Sequence, residues 1–87
     1  MDIQQRVIKV IEELRPDIEL QKALNENNNL AFIEDGIFDS FDIISLVSAL
    51  DKEFTISIDG SKIIAENFNT LENIVLLVAQ SYGDSSS

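Results

Sequence analysis

A chain of 87 residues fits one domain with a thin core, and 45% hydrophobic content suffices for that core despite a net charge of −10. Cysteine and histidine are both absent, which excludes disulfides, thiolate chemistry, a triad hydrolase and an ordinary zinc site. Sixteen acids against six bases repel phosphate backbones, so nucleic acid is not an expected partner.

The longest apolar run, Ile74 to Ala79, falls far short of the roughly 20 residues needed to span a bilayer. The opening Met-Asp-Ile-Gln-Gln-Arg lacks the basic and apolar blocks of a signal peptide, so the expected location is cytoplasmic. One domain is expected over 1–83, with 84–87 as a frayed tail. Between Glu34 and Asp59 seven acids face a single base, Lys52, a field that either serves solubility or attracts partners with basic docking patches.

Asp2 is placed to cap a first helix, with Gln5 completing a capping-box pattern. Ile3, Val7, Val10, Ile11 and Leu14 form one apolar stripe at helical spacing, and Pro16 ends the helix by restricting Arg15. From Asp17 to Phe38 a structureless loop would be long for so small a domain. The stretch from Asp17 to Leu24 suits one or two helical turns pinned by Ile18, Leu20 and Leu24, and Asn25 to Asn29 breaks it. Leu30, Phe32 and Ile37 are expected in the core, and Gly36 supplies a tight turn.

A second long helix is expected to begin at Ser40, an accepted N-cap residue. Ile43, Val47, Leu50 and Phe54 share one arc of that helix, which Ile44 and Leu46 widen on either side. Asp42, Ser45, Ser48, Ala49 and Lys52 take the opposite face. Phe41 falls among these polar residues, where it either forms a contact surface or folds back under the loop.

Thr55 to Asp59 alternates like a strand but has nothing to pair with, so it reads as an extended linker. Asp59-Gly60-Ser61 marks a turn, and Ser61 to Phe68 a short helix burying Phe68 with Ile63 or Ile64. Asn69 is expected to cap a last helix, with Glu72 three residues on. Leu71, Ile74, Val75 and Val78 make its stripe, Tyr82 extends it and Gly83 ends it. The sum is an all-α fold, a small four-helix bundle of three main helices and a short third one.

The acids around Ser40 do not form an EF-hand: counted from Asp35, the third position is Ile37 and the sixth is Ser40. A carboxylate-pair hydrolase needs a cleft that a bundle of this size offers little room for. No metal site is expected, and a serine in this position, taken alone, reads as a helix cap.

The run Gly-Ile-Phe-Asp39-Ser40-Phe41-Asp-Ile-Ile-Ser-Leu-Val-Ser-Ala-Leu-Asp-Lys-Glu-Phe resembles the region around Asp-Ser-Leu in acyl carrier proteins. The resemblance extends over most of the chain through the order of helices and the Asn69-Thr70-Leu71 entry to the last one. It implies that Ser40 carries 4′-phosphopantetheine as a phosphodiester, installed from coenzyme A by a phosphopantetheinyl transferase. The arm would hold acyl groups as thioesters, so the reactive sulfur is imported by a chain without cysteine.

On this resemblance the chain is a monomeric carrier and not an enzyme, in lipid or secondary-metabolite biosynthesis, handled by a loading enzyme and downstream synthases. The residues expected to meet partners are Asp39, Phe41, Asp42, Ser45 and Ser48. Ile43, Val47, Leu50, Ile58, Ile64 and Ile74 are candidates to line an acyl chain, or else are plain core. Phe41 stands where Leu is usual, a replacement familiar among D-alanyl carrier proteins, and Ser45, Ser48 and Lys52 make the outer face milder than in fatty-acid carriers. The alternatives are therefore a D-alanyl or aminoacyl carrier and, from another class, an acidic helical interaction module without a prosthetic group.

Overall fold

The first helix, α1 (Ile3–Leu14), starts where the Asp2 carboxylate accepts the Gln5 amide at 2.8 Å. In the computed structural model, which describes residues 2–26 and 30–85 with side chains to Tyr82, α1 buries Val7, Ile8, Val10 and Ile11. Ile8 adds to the stripe read from the sequence. Arg15 leaves helical geometry ahead of Pro16, as the proline requires.

The segment before the serine is more helical than the one or two turns expected. A 3-10 turn (Pro16–Ile18) leads into α2 (Leu20–Glu26), joined by Glu19 in left-handed geometry. Leu20 anchors it in the core, and the helix runs on through Asn25 and Glu26, past the point where Asn25 was expected to break it; residues 27–29 lie outside the described residues. Residues 32–36 form a turn in which Gly36 has a φ of 73°, a conformation that favours glycine. Phe32 is fully buried and stacks on Phe38 with ring centroids 4.7 Å apart, so Phe38 joins the expected Leu30, Phe32 and Ile37.

The long central helix, α3 (Ser40–Phe54), runs antiparallel to α1: Arg6 near the start of α1 meets Glu53, and Arg15 past its end meets Asp42. Its buried face is Leu46, Val47, Leu50 and Phe54, with Ile43 half-buried. Ile44 does not widen that face as expected; it is 64% exposed. At the far end Arg6 lies 4.3 Å over the Phe54 ring and donates to the Glu53 carbonyl at 2.8 Å, satisfying one of the last carbonyls of α3.

Residues 56–59 are an extended linker, as read, with Ile56 and Ile58 both buried. Asp51 holds it back against α3: its carbonyl accepts the Ile56 amide and its carboxylate the Ile58 amide, both at 3.0 Å. The expected helix over 61–68 divides into a 3-10 turn (Gly60–Lys62) and α4 (Ala65–Phe68). Phe68 is buried together with Ile63, while Ile64 stays 48% exposed.

The last helix, α5 (Leu71–Ser85), is capped by Thr70 rather than Asn69, the Thr70 hydroxyl accepting the Asn73 amide at 3.1 Å. Ile74, Leu77 and Val78 are its buried positions, and Tyr82 meets Phe54 edge-on with centroids 6.3 Å apart. The helix continues past Gly83 through Ser85, because a glycine inside a helix costs only about 1 kcal/mol and no proline follows to stop it. Residues 86–87, the rest of the expected tail, lie outside the described residues.

Among the described residues the fold is thus an all-helical bundle of four helices with seven or more residues plus the short α4, closed around one core. Among the described residues no helix is long and apolar enough to cross a membrane.

Phe32 ties the turn before the serine to that core. Phe32→Ala lowers the unfolding free energy by about 3–5 kcal/mol, read from urea denaturation; a loss under about 1 kcal/mol would contradict its burial.

Candidate functional site

Ser40 opens α3, but it is not the cap. Asp39, in extended geometry, is the N-cap residue, and its carboxylate accepts the Asp42 amide at 2.9 Å. Asp42 answers by accepting the Asp39 amide at 3.1 Å, which completes a capping box with aspartate in both places. Ser40 is therefore the first helical residue. It is exposed, and among the described residues no side-chain hydrogen bond engages its hydroxyl. The amides of Ser40 and Phe41, in the first turn, have no acceptor within the helix, which gives this end a partial positive charge.

A third group fixes this end. Arg15 donates to the Asp42 carboxylate at 2.7 Å, to Asp17 at 2.9 and 3.0 Å, and to the Ile37 carbonyl at 3.3 Å. One guanidinium thus joins the end of α1, the strand of chain entering the serine and the third residue of α3. The hydrogen bond from Arg15 holds the Asp17 carboxyl below the usual carboxylate range, and Asp17 with Asp42 raises the Arg15 pKa further above its already high value. Nothing local in the sequence marks Arg15: its partner Asp42 is 27 residues away.

The loop before the serine is held from its other side by Asn69. Its side-chain oxygen accepts the amides of Ile33 and Glu34 at 3.0 and 3.1 Å, and its carbonyl accepts the Phe32 amide. The residue read as a helix cap instead docks the turn containing Gly36 onto the α4–α5 junction.

The outer face of α3 brings together Phe41, Ser45 and Ser48, three of the five residues expected to meet partners, at spacings of one helical face. Phe41 is 80% exposed and does not fold back under the loop. Ile44 belongs to the same face, a residue the sequence placed in the core arc. Asp39 and Asp42, the other two, lie beside the serine with their carboxylates engaged in the capping box.

Of the six lining candidates, Val47, Leu50, Ile58 and Ile74 are buried and Ile43 is half-buried in the common core. Ile64 lies outside it. An open groove of about 470 Å³ between α1 and α3, over Val10, Leu14 and Ala49, and a hollow of about 290 Å³ beside Asn69 are walled by other residues. Among the described residues no group of three or more possible ligand side chains is placed to hold a metal ion.

No protein-family model matches the chain. It is 35% identical over 74 residues to the acyl carrier protein of Buchnera aphidicola subsp. Acyrthosiphon pisum, with 85% of each chain covered. It is 31% identical over 75 residues to the D-alanyl carrier protein of Bacillus subtilis, covering 86% of this chain and 91% of that one. The chain belongs to the acyl carrier protein family. These relatives are carriers rather than enzymes, and the role that follows for this chain is that of a carrier protein. In this carrier protein Ser40 presents an exposed hydroxyl that the helix does not use for its own cap.

Asp39→Ala removes the cap and costs about 0.5–2 kcal/mol in urea denaturation, whereas Ser40→Ala stays within about 0.5 kcal/mol. Equal losses from the two would return the capping role to the serine. Because its folded pKa is depressed, Asp17 contributes stability above its unfolded pKa of about 4 that is lost as pH falls through the lower folded value. Its side-chain carbonyl-carbon NMR signal should titrate below that of an exposed aspartate, and Arg15→Met should remove the difference.

Proposed function

We propose that this chain is an acyl carrier protein modified on Ser40 by 4′-phosphopantetheine. The observation that carries this is the division of labour at the start of α3: Asp39 and Asp42 cap the helix, leaving the Ser40 hydroxyl exposed and unengaged. Kinship with acyl carrier proteins over 85% of the chain supports the same reading.

The site suits a phosphodiester. The first-turn amides of a 15-residue helix favour an anion there. The two nearby carboxylates oppose it less than their number suggests, since one accepts amide hydrogen bonds and the other also pairs with Arg15. The prosthetic group supplies a thiol on which an acyl group is held as a thioester, chemistry that a chain without cysteine lacks. Ser40 supplies only its hydroxyl oxygen, and a phosphopantetheinyl transferase supplies the activation. Ile43, Val47, Leu50, Ile58 and Ile74 are the apolar side chains that would part to shelter an acyl chain between the helices.

The pathway is lipid or secondary-metabolite biosynthesis in the cytoplasm, with a loading enzyme and a synthase as later partners. A D-alanyl or aminoacyl carrier is the second reading, favoured by the D-alanyl carrier relative and by Phe41 beside the serine.

Intact mass after incubation with coenzyme A, magnesium and a broad-specificity transferase should rise by one phosphopantetheine, and Ser40→Ala should not gain it. No gain in folded apo protein would leave the acidic interaction module as the function. Loading of the modified protein by an ATP-dependent ligase with D-alanine, against a fatty acyl donor, separates the two carrier readings.

A further inference from the structure

The bonding of Arg15 is more specific than an ion pair at a helix end requires. Asp17 takes one edge of its guanidinium in a bidentate grip, Nε donating to one carboxylate oxygen at 3.0 Å and Nη2 to the other at 2.9 Å. With that edge held, Nη1 turns to the entry of α3, where it donates to the Asp42 carboxylate at 2.7 Å and to the Ile37 carbonyl at 3.3 Å. Ile37 precedes Ser40 in the chain and Asp42 follows it, so one nitrogen fastens the backbone on both sides of the serine. The Asp42 oxygen that takes Arg15 also accepts the Asp39 amide at 3.1 Å, so the guanidinium is built into the capping box itself. The Asp42 and Arg15 side chains are 21% and 30% exposed, which screens this pair less than one lying fully on the surface.

We propose that Arg15 is a positioning residue for the modification of Ser40, acting through Asp42 and the Ile37 carbonyl to hold the serine hydroxyl in line for attack on coenzyme A. This rests on the carrier reading. In that reaction the Ser40 oxygen bonds to the phosphorus attached to pantetheine, and the bond from that phosphorus to the oxygen bridging the two phosphates breaks. Adenosine bisphosphate leaves with the electron pair, and the hydroxyl proton passes to a base on the transferase. Such a displacement needs the attacking and leaving oxygens in line, and a misplacement of about 1 Å costs on the order of 100-fold in rate. Among the described residues no side-chain hydrogen bond steadies the Ser40 hydroxyl, so its place is set by the backbone around it. A capping box on an exposed first turn holds that backbone only locally, whereas Arg15 ties it to the end of α1. A lysine offers a single nitrogen and cannot grip Asp17 with two nitrogens while reaching Asp42 and Ile37 with a third.

The test is the rate of phosphopantetheine transfer, followed by intact mass with coenzyme A, magnesium and the broad-specificity transferase, below the melting temperature of each variant. Arg15→Met lowers kcat about tenfold and leaves KM within about twofold of wild type. Arg6→Met removes a guanidinium of the same charge from the far end of α3 and keeps kcat within about twofold. Arg15→Lys regains less than about a third of the wild-type kcat. In an Asp42→Asn background Arg15→Met slows transfer by no more than about twofold further, as befits a residue acting through Asp42. Without any transferase present, hydrogen exchange of the Asp39 and Asp42 amides, read by NMR, quickens about tenfold in Arg15→Met and stays near wild type in Arg6→Met. The proposal is overturned if Arg15→Met keeps the wild-type kcat, if its loss falls on KM instead, if Arg6→Met slows transfer as much, or if the Arg15→Met and Asp42→Asn losses add. A wild type that takes no phosphopantetheine overturns the carrier reading and this inference with it, a result distinct from normal transfer in Arg15→Met.

Discussion

Two carboxylates and one guanidinium at the mouth of α3 hold the rest in place. A helix that starts at an exposed turn leaves several amides unsatisfied, and its first turn frays unless something closes it. Here Asp39 and Asp42 close it reciprocally, and Arg15 locks the second carboxylate to the end of α1 and to the chain entering the serine. The result is a rigid platform whose first residue has nothing to do for the fold. A hydroxyl in that position can be given up to chemistry without loss of structure.

The elements around the platform make it dependable. Asn69 grips the turn before the serine from the α4–α5 side, and the stacked Phe32 and Phe38 rings seat that turn in the core. Arg6 does at the far end of α3 what the capping box does at the near end, bonding the Glu53 carbonyl while covering the Phe54 ring. Between the two ends, α1 and α3 lie antiparallel with a continuous apolar seam. A thin core cannot hold a site still by mass of packing, so polar fixings at its edges take a larger share.

This placement also alters how the acidity is understood. A net charge of −10 gives the molecule a long-range field, but a field is not a contact surface. At the serine, the nearest carboxylates are tied to backbone amides and to Arg15, and the exposed face is apolar and hydroxylic.

Much of this was legible in the order of residues. The apolar stripes of α1, α3 and α5 follow from helical spacing, the strand-like stretch after Phe54 read as a linker for want of a pairing partner, and the run around Ser40 carried the family resemblance. Local chemistry also fixed Asp2 as a cap and Gly36 as a turn, because each depends on neighbours within a few residues. Which of two adjacent candidates caps a helix was beyond it: Asp39 and Ser40 both qualify, as do Asn69 and Thr70, and the choice rests on where the preceding loop is anchored. The same holds for Ile44, whose angle on the helix borders the core arc and whose exposure depends on how α3 is rolled against α1 and α5. Arg15 shows the limit most plainly. Sequence spacing determines which side chains share a helix face, whereas a guanidinium that reaches a carboxylate 27 residues away acts through packing, and only the tertiary structure decides it.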